Sequence, residues 1–199
     1  RQAEILKSVG DDAPASLQIE AATQQGLAHR QLDDPRKCID AMQPWMERAR
    51  REQSQLPAQV AEFYSQLGRC HRAAGEPASA RAVFARALAL RRDPGNDGVG
   101  AAETLADLAA LDNDAGHGPE ALRGYRKALA QLRASAGPRH PMAVDLLRNV
   151  CALERSAGAI GIAEHDCGAA LALSLSLHGA ANPITVDARR QLAAIQVAQ

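Results

Sequence analysis

Arg148 and Arg190 stand 42 residues apart, and each follows an aspartate, Asp145 or Asp187, by three positions. A guanidinium presents a planar fork of donors that suits a carboxylate or backbone carbonyls. On a helix, a base three positions after an acid can instead close an ion pair with it. Both readings stand for this pair: a grip on an extended peptide, or an intramolecular bridge. Other groups offer less chemistry. His165 and Cys167 are two apart and diverge on a helix, which is poor geometry for one metal ion. Cys38, Cys70, Cys151 and Cys167 contain no CxxC pair. They are expected to be buried, inert thiols, as suits a reducing compartment, with a disulfide open to the chain if its parent protein is exported. No phosphate-binding glycine loop, GxSxG or HExxH occurs. No catalytic residue, metal or cofactor is therefore assigned, and the chain is not expected to be an enzyme.

Composition narrows the partners. Lys plus Arg equals Asp plus Glu at 23 each, which removes the usual electrostatic case for nucleic acid. Aromatics make up 3%, too few for a base-stacking surface, while 46% hydrophobic and 23% charged residues suit a globular chain. No apolar run approaches the ~20 residues that span a bilayer, and "RQAEILKSVGDDAPAS" lacks the apolar stretch of a signal peptide. Because the sequence begins with Arg, it is read as a piece of a longer protein. The expected location is the cytoplasm, or the periplasm if that parent is membrane-anchored. High Ala and Arg usage fits a GC-rich bacterial gene.

The two arginines belong to a recurring pattern. "SAGPRHPMAVDLLRNV" (135–150) and "HGAANPITVDARRQL" (178–192) share Gly137/Gly179, Pro141/Pro183, Val144/Val186, Asp145/Asp187 and Arg148/Arg190. A longer motif recurs along the chain. From Tyr64 the chain shows Leu67-Gly68, a break at Gly75, then Ala80, Phe84, Ala87 and Leu88. From Leu105 the same offsets hold Gly116, Ala121, Tyr125, Ala128 and Leu129, and later Gly158, Ala163, Cys167, Ala170 and Leu171. Gly26 and Pro35 lie 42 before Gly68 and Pro77, so residues 26–49 are a worn copy in which Cys38, Met42 and Trp45 replace Ala, Phe and Ala. Apolar or small residues three, four and seven apart predict one buried stripe per helix. Gly75, Gly116 and Gly158 suit helix stops, and Pro77 and Pro119 suit first turns. His140-Pro141 and Asn182-Pro183 place a capping side chain and a proline at the start of each first helix. Each unit is thus a helical hairpin, and the interval is one hairpin with its connections.

The Ala-x3-Phe/Tyr-x2-Ala-Leu signature, preceded by Leu-Gly and a Gly break, resembles the tetratricopeptide repeat. The 41 to 42 residue spacing resembles its longer, kinesin-light-chain-like form. HEAT or armadillo repeats have a similar period but need no small-aromatic-small spacing. The resemblance implies an all-α, right-handed superhelical solenoid of antiparallel helix pairs, about four and a half repeats in a single domain over 1–199. Repeats are expected at about 16–57, 58–98, 99–140 and 141–182, with 1–15 ending a preceding hairpin and 183–199 a terminal capping helix.

With Tyr64, Leu105 and Leu147 as the fourth residue of each first helix, positions 4, 7, 8 and 11 fall in one arc of roughly 100°. His29 and His71 occupy position 11 and are read as packing or rim residues. Positions 2, 5, 9 and 12 form a second arc, which in this family lines the concave, ligand-holding wall. Position 2 carries Glu20, Glu62, Glu103, Asp145 and Asp187, and position 12 carries Arg30, Arg72 and Arg155. Acids favour first turns and bases last turns without any ligand, so helix electrostatics is the favoured account of these rails. Asn149 matches an Asn that kinesin-light-chain-type repeats use to clamp peptide backbone; Gln66 and Gln191 are its equivalents, and Asp107 departs from the pattern. The expected ligand-contacting set is Gln66, Arg69, Arg72, Asn113, Arg148, Asn149, Arg155, Arg190 and Gln191. The expected function is a non-catalytic scaffold that holds a protein or peptide partner in the groove, with no nucleic acid and no membrane segment in this chain. Two alternatives stand beside it. One is a sensor or regulatory segment of a larger bacterial signalling protein, such as a serine/threonine kinase, transcription activator or regulatory ATPase. The other is a structural module that self-associates through Leu192 and Ile195 of the terminal helix, unless these pack inward as an end cap.

Overall fold

The computed structural model describes residues 13–91 and 98–197, and all regular structure in them is helical. The expected hairpin end at 1–15 lies almost wholly outside the described residues. In chain order the helices are α1 (Ala15–Gln31), α2 (Pro35–Met42), a 3₁₀ turn (Gln43–Trp45), α3 (Met46–Glu52), α4 (Pro57–Ala73), α5 (Pro77–Leu90), α6 (Gly98–Asp114), α7 (Gly118–Ala136), α8 (Met142–Ser156), α9 (Ile160–His178) and α10 (Pro183–Gln196). The chain divides into two compact units after Thr104. In the first, α4 packs on α5 and on α1, and α1 packs on α2. In the second, α8 packs on α7 and α9, and α9 on α10.

Local sequence accounts for the hairpins. Gly75, Gly116 and Gly158 all adopt φ between 73° and 78° at the turn after a first helix. In the worn copy Asp33 takes that place at φ 56°, a conformation disfavoured for a residue with a Cβ by roughly 1–2 kcal/mol. Proline opens α2, α4, α5 and α10 where no backbone donor is needed. Asp34 caps α2 by accepting from the Lys37 N–H at 3.1 Å, and Asn182 caps α10 by accepting from Ile184 N–H at 2.9 Å. His140 Nδ1 accepts from Met142 N–H at 3.3 Å, a looser version of the same cap. Pro44, which supplies no N–H, sits where the second helix of the worn copy tightens into its 3₁₀ turn.

The signature positions face inward. Ala80, Ala121 and Ala163 are fully buried, as are Ala87, Ala128, Ala170 and Phe84. The core of the first unit gathers Ile19, Met42, Phe63, Tyr64, Leu67 and Val83 around these contacts. Close approach in this unit is set by glycine: a Cβ on Gly68 would meet Phe84 Cε1 at 2.5 Å, and one on Gly26 would meet Met42. In the next hairpin the sizes are exchanged, since Gly124 approaches Ala109, whose Cβ would lie 2.7 Å from a Cβ added at 124.

The cysteines correct the sequence expectation. They are buried as expected, but as two disulfides rather than thiols: Cys38–Cys70, with Cα atoms 5.9 Å apart, and Cys151–Cys167, at 5.4 Å. Isolated-helix reasoning could pair neither, because each bond joins different helices. In α10, Ile195 is fully buried and Leu192 partly so, both against Cys151, Ala163 and Cys167. Both therefore pack inward. No described helix is long and apolar enough to cross a membrane.

Candidate functional site

The expected ligand wall resolves into three environments. On α4, Gln66 is 2% exposed, and its amide nitrogen has no hydrogen-bond partner among the described residues. Arg69 is half-buried and pairs with Glu103 at 3.4 Å and Glu62 at 3.9 Å. Arg72 lies half-buried in the last turn of α4. Asn113 and Asn149 are exposed on α6 and α8. The clamp-equivalent positions therefore differ in surroundings, from the buried Gln66 to the open Asn149.

Arg148 is engaged on several sides. It pairs with Asp145 at 3.5 Å, reaches Asp187 of the following helix at 3.9 Å, and its Nε donates to Gln191 Oε1 at 3.3 Å. Arg190 is more open and pairs with Asp187 at 3.5 Å. The intramolecular bridge weighed from the sequence is thus present at both arginines. The acidic rail also has a role that helix electrostatics did not suggest. Glu103 and Asp187 each receive an arginine from the preceding first helix, Arg69 and Arg148 respectively. Such partly exposed pairs contribute at most about 1 kcal/mol, so they bias the register of adjacent hairpins more than they hold the fold.

In the second unit α8 and α10 enclose a shallow depression of about 200 Å³. Its floor is Cys151, Ala152, Ala194 and Ile195, of which Cys151 and Ile195 are buried; its walls are Arg155, Arg190 and Gln191. Three expected ligand residues from two hairpins meet here. Arg155 is exposed and has no acidic partner among the described residues. The position-12 base can sit beside the position-5 base of the next first helix because neighbouring helices lie side by side. Ala152 and Ala194, at position 9 of the arc expected to line the concave wall, stand outside the expected ligand-contacting set, yet both line the depression.

Behind this wall, Glu154 is 1% exposed, and one of its oxygens accepts from Arg126 at 2.6 Å. The other oxygen has no hydrogen-bond partner among the described residues. Burial pushes its carboxyl above the ordinary value of 4.5; Arg126 opposes the rise and the nearby Asp166 adds to it. Folding must then carry a buried charge that is absent below the ordinary carboxyl range and grows as pH climbs through it. Glu154→Gln is expected to gain stability relative to the parent chain between pH 4 and pH 7. Urea unfolding at both pH values measures this, and a difference that does not change with pH would refute it.

Fold and wall together define an all-α helical-repeat protein built from antiparallel hairpins. The family model for the tetratricopeptide repeat matches residues 59–134, so that stretch is similar to tetratricopeptide repeats. A search of curated proteins found no match. Among solved structures the chain resembles BtubC (BKLC) from P. vanneervenii, at 19% identity and TM-score 0.72, over 80% of this chain and 65% of that one. It also resembles a putative kinesin light chain from Podosopora anserina with nearly identical TPR-like repeats, at 13% identity and TM-score 0.72, over 93% and 88% of the two chains. The apo form of RapI aligns at 14% identity and TM-score 0.79, over 99% of this chain and 54% of RapI. The chain thus spans less than two thirds of BtubC and about half of RapI. At these identities the likeness is one of fold. Proteins with this repeat are generally non-catalytic interaction scaffolds.

Proposed function

We propose that the chain is a binding scaffold whose second unit holds a peptide or protein segment along the wall formed by α8 and α10. The observation that carries this reading is the depression between those helices, where an apolar floor lies beside the guanidinium groups of Arg155 and Arg190. A carboxylate, or the carbonyls of an extended backbone, fits forked donors of this kind, and a small aliphatic group fits the floor. Gln191, held by Arg148, adds a polar edge that is already oriented. Arg148 therefore acts mainly to position neighbours, while Arg155 and Arg190 contact the ligand.

The test is capture of partners by the whole chain, followed by peptide mapping and titration of the mapped peptide. Replacing both Arg155 and Arg190 by Ala is expected to weaken that peptide at least about tenfold, the scale of one lost charge-assisted hydrogen bond. Both side chains are exposed, so the melting temperature should stay within about 2 °C of the parent. Unchanged affinity in the double variant would remove the depression as the site.

A further inference from the structure

Between first and second helix, a separation of 16 residues pairs Gly26 with Met42, Gly68 with Phe84, Ala109 with Tyr125, and Cys151 with Cys167. The first, second and fourth of these pairs are in contact. In the first two, a residue without a side chain makes room for a large one. The fourth hairpin has no large partner at this place; it has a disulfide. The other bond is also placed at signature positions. Cys38 stands where Ala80, Ala121 and Ala163 stand, and Cys70 stands where Leu111 and Leu153 stand. It ties α2 to α4, so it joins one repeat to the next.

Substituting Cys for Phe or Leu at such positions removes packed volume, which in reduced form would leave an underfilled contact. A covalent bond supplies what the lost side chain no longer does. Both Cα separations, 5.9 and 5.4 Å, lie in the range that a disulfide spans. All four sulfurs belong to residues no more than 1% exposed, and the sequence contains only these four cysteines. No further thiol of this sequence remains to exchange with them, and burial of all four sulfurs slows attack by a reductant on the folded chain.

We propose that both bonds are permanent structural staples and that the chain matures in a thiol-oxidising compartment, outside the reducing cytoplasm first expected for it. In forming each bond, two cysteine thiols lose two protons and two electrons. The electrons pass by exchange to the disulfide of an oxidising thiol–disulfide oxidoreductase, which departs as the dithiol. This proposal does not depend on which ligand the wall holds.

Two measurements test it. Cells that naturally make the protein are quenched in acid, and the denatured chain is treated with N-ethylmaleimide before or after reduction. No adducts are expected before reduction and one on every cysteine after it; adducts before reduction would overturn the compartment. Separately, Cys151→Ala with Cys167→Ala is expected to lower the melting temperature by about 10 °C. Cys151→Ala with Cys167→Tyr, which restores the Ala109/Tyr125 arrangement, is expected to recover part of that loss and to melt without regard to the reduction of this bond. Should the alanine variant not fold, the parent chain reduced in denaturant and refolded under reductant provides the same comparison. Melting unchanged by loss of the bond would overturn the staple.

Discussion

Phe84→Ala is expected to destabilise the first unit by about 3–5 kcal/mol, the range for removing a fully buried ring. The geometry places the effect towards the upper end. The ring lies over Gly68, where even one added carbon would approach to 2.5 Å, so the residue of α4 directly beneath it has no side chain to fill the vacated space. The cavity would persist rather than collapse. Gly68→Ala tests the same contact from the opposite helix and should cost about 1–3 kcal/mol through overpacking. Combined, the two changes should cost less than their sum, because the methyl then occupies part of the space that the ring has left. Urea unfolding followed by helical circular dichroism measures all three. A cost below about 1 kcal/mol for Phe84→Ala would show that this ring does not hold the hairpin.

Arg91→Ala is expected to cost the same unit about 3 kcal/mol. Arg91 is 4% exposed at the end of α5, and its guanidinium donates to Ser65 Oγ at 2.9 Å, Thr104 Oγ1 at 2.5 Å, the Gly100 carbonyl at 2.8 Å and Glu62 at 2.8 Å. Ser65 and Thr104 are fully buried and would lose their charged donor. The loss is limited in two ways. Thr104 still donates to the Gly100 carbonyl, and Glu62 is open enough to rehydrate. The equivalent place in later hairpins holds Leu132 and Ser174, both fully buried. An apolar version should therefore work. Arg91→Leu with Ser65→Ala and Thr104→Ala is expected to recover most of the stability, since a packed apolar group often replaces a buried charge without loss. If the triple variant proves less stable than Arg91→Ala, the polar cluster contributes more than its packed volume.

Much of this structure was legible because it is local. The Gly breaks, the prolines at helix starts and the Ala-aromatic-Ala spacing act within a few residues of themselves, and each appears where the sequence places it. The inward turn of Ala80, Ala121 and Ala163 follows from the helical period alone. Pro44 was equally local and was overlooked; its missing N–H marks the 3₁₀ turn in the worn copy. The site was less legible. Arg148 and Arg190 are equivalent in sequence, yet Arg148 is drawn into a network with Asp187 and Gln191 while Arg190 edges an open depression.

The order of residues by itself determined that the chain would form helical hairpins of fixed length with small residues at their contacts. Turn geometry and helical periodicity are short-range and need no knowledge of neighbours. Only tertiary structure decided that Cys38 meets Cys70, that Arg91 finds its partners in α4 and α6, and that Arg155 shares a depression with Arg190. Those outcomes depend on which side chains stacked helices bring within a few ångströms, a distance that separation along the chain does not encode.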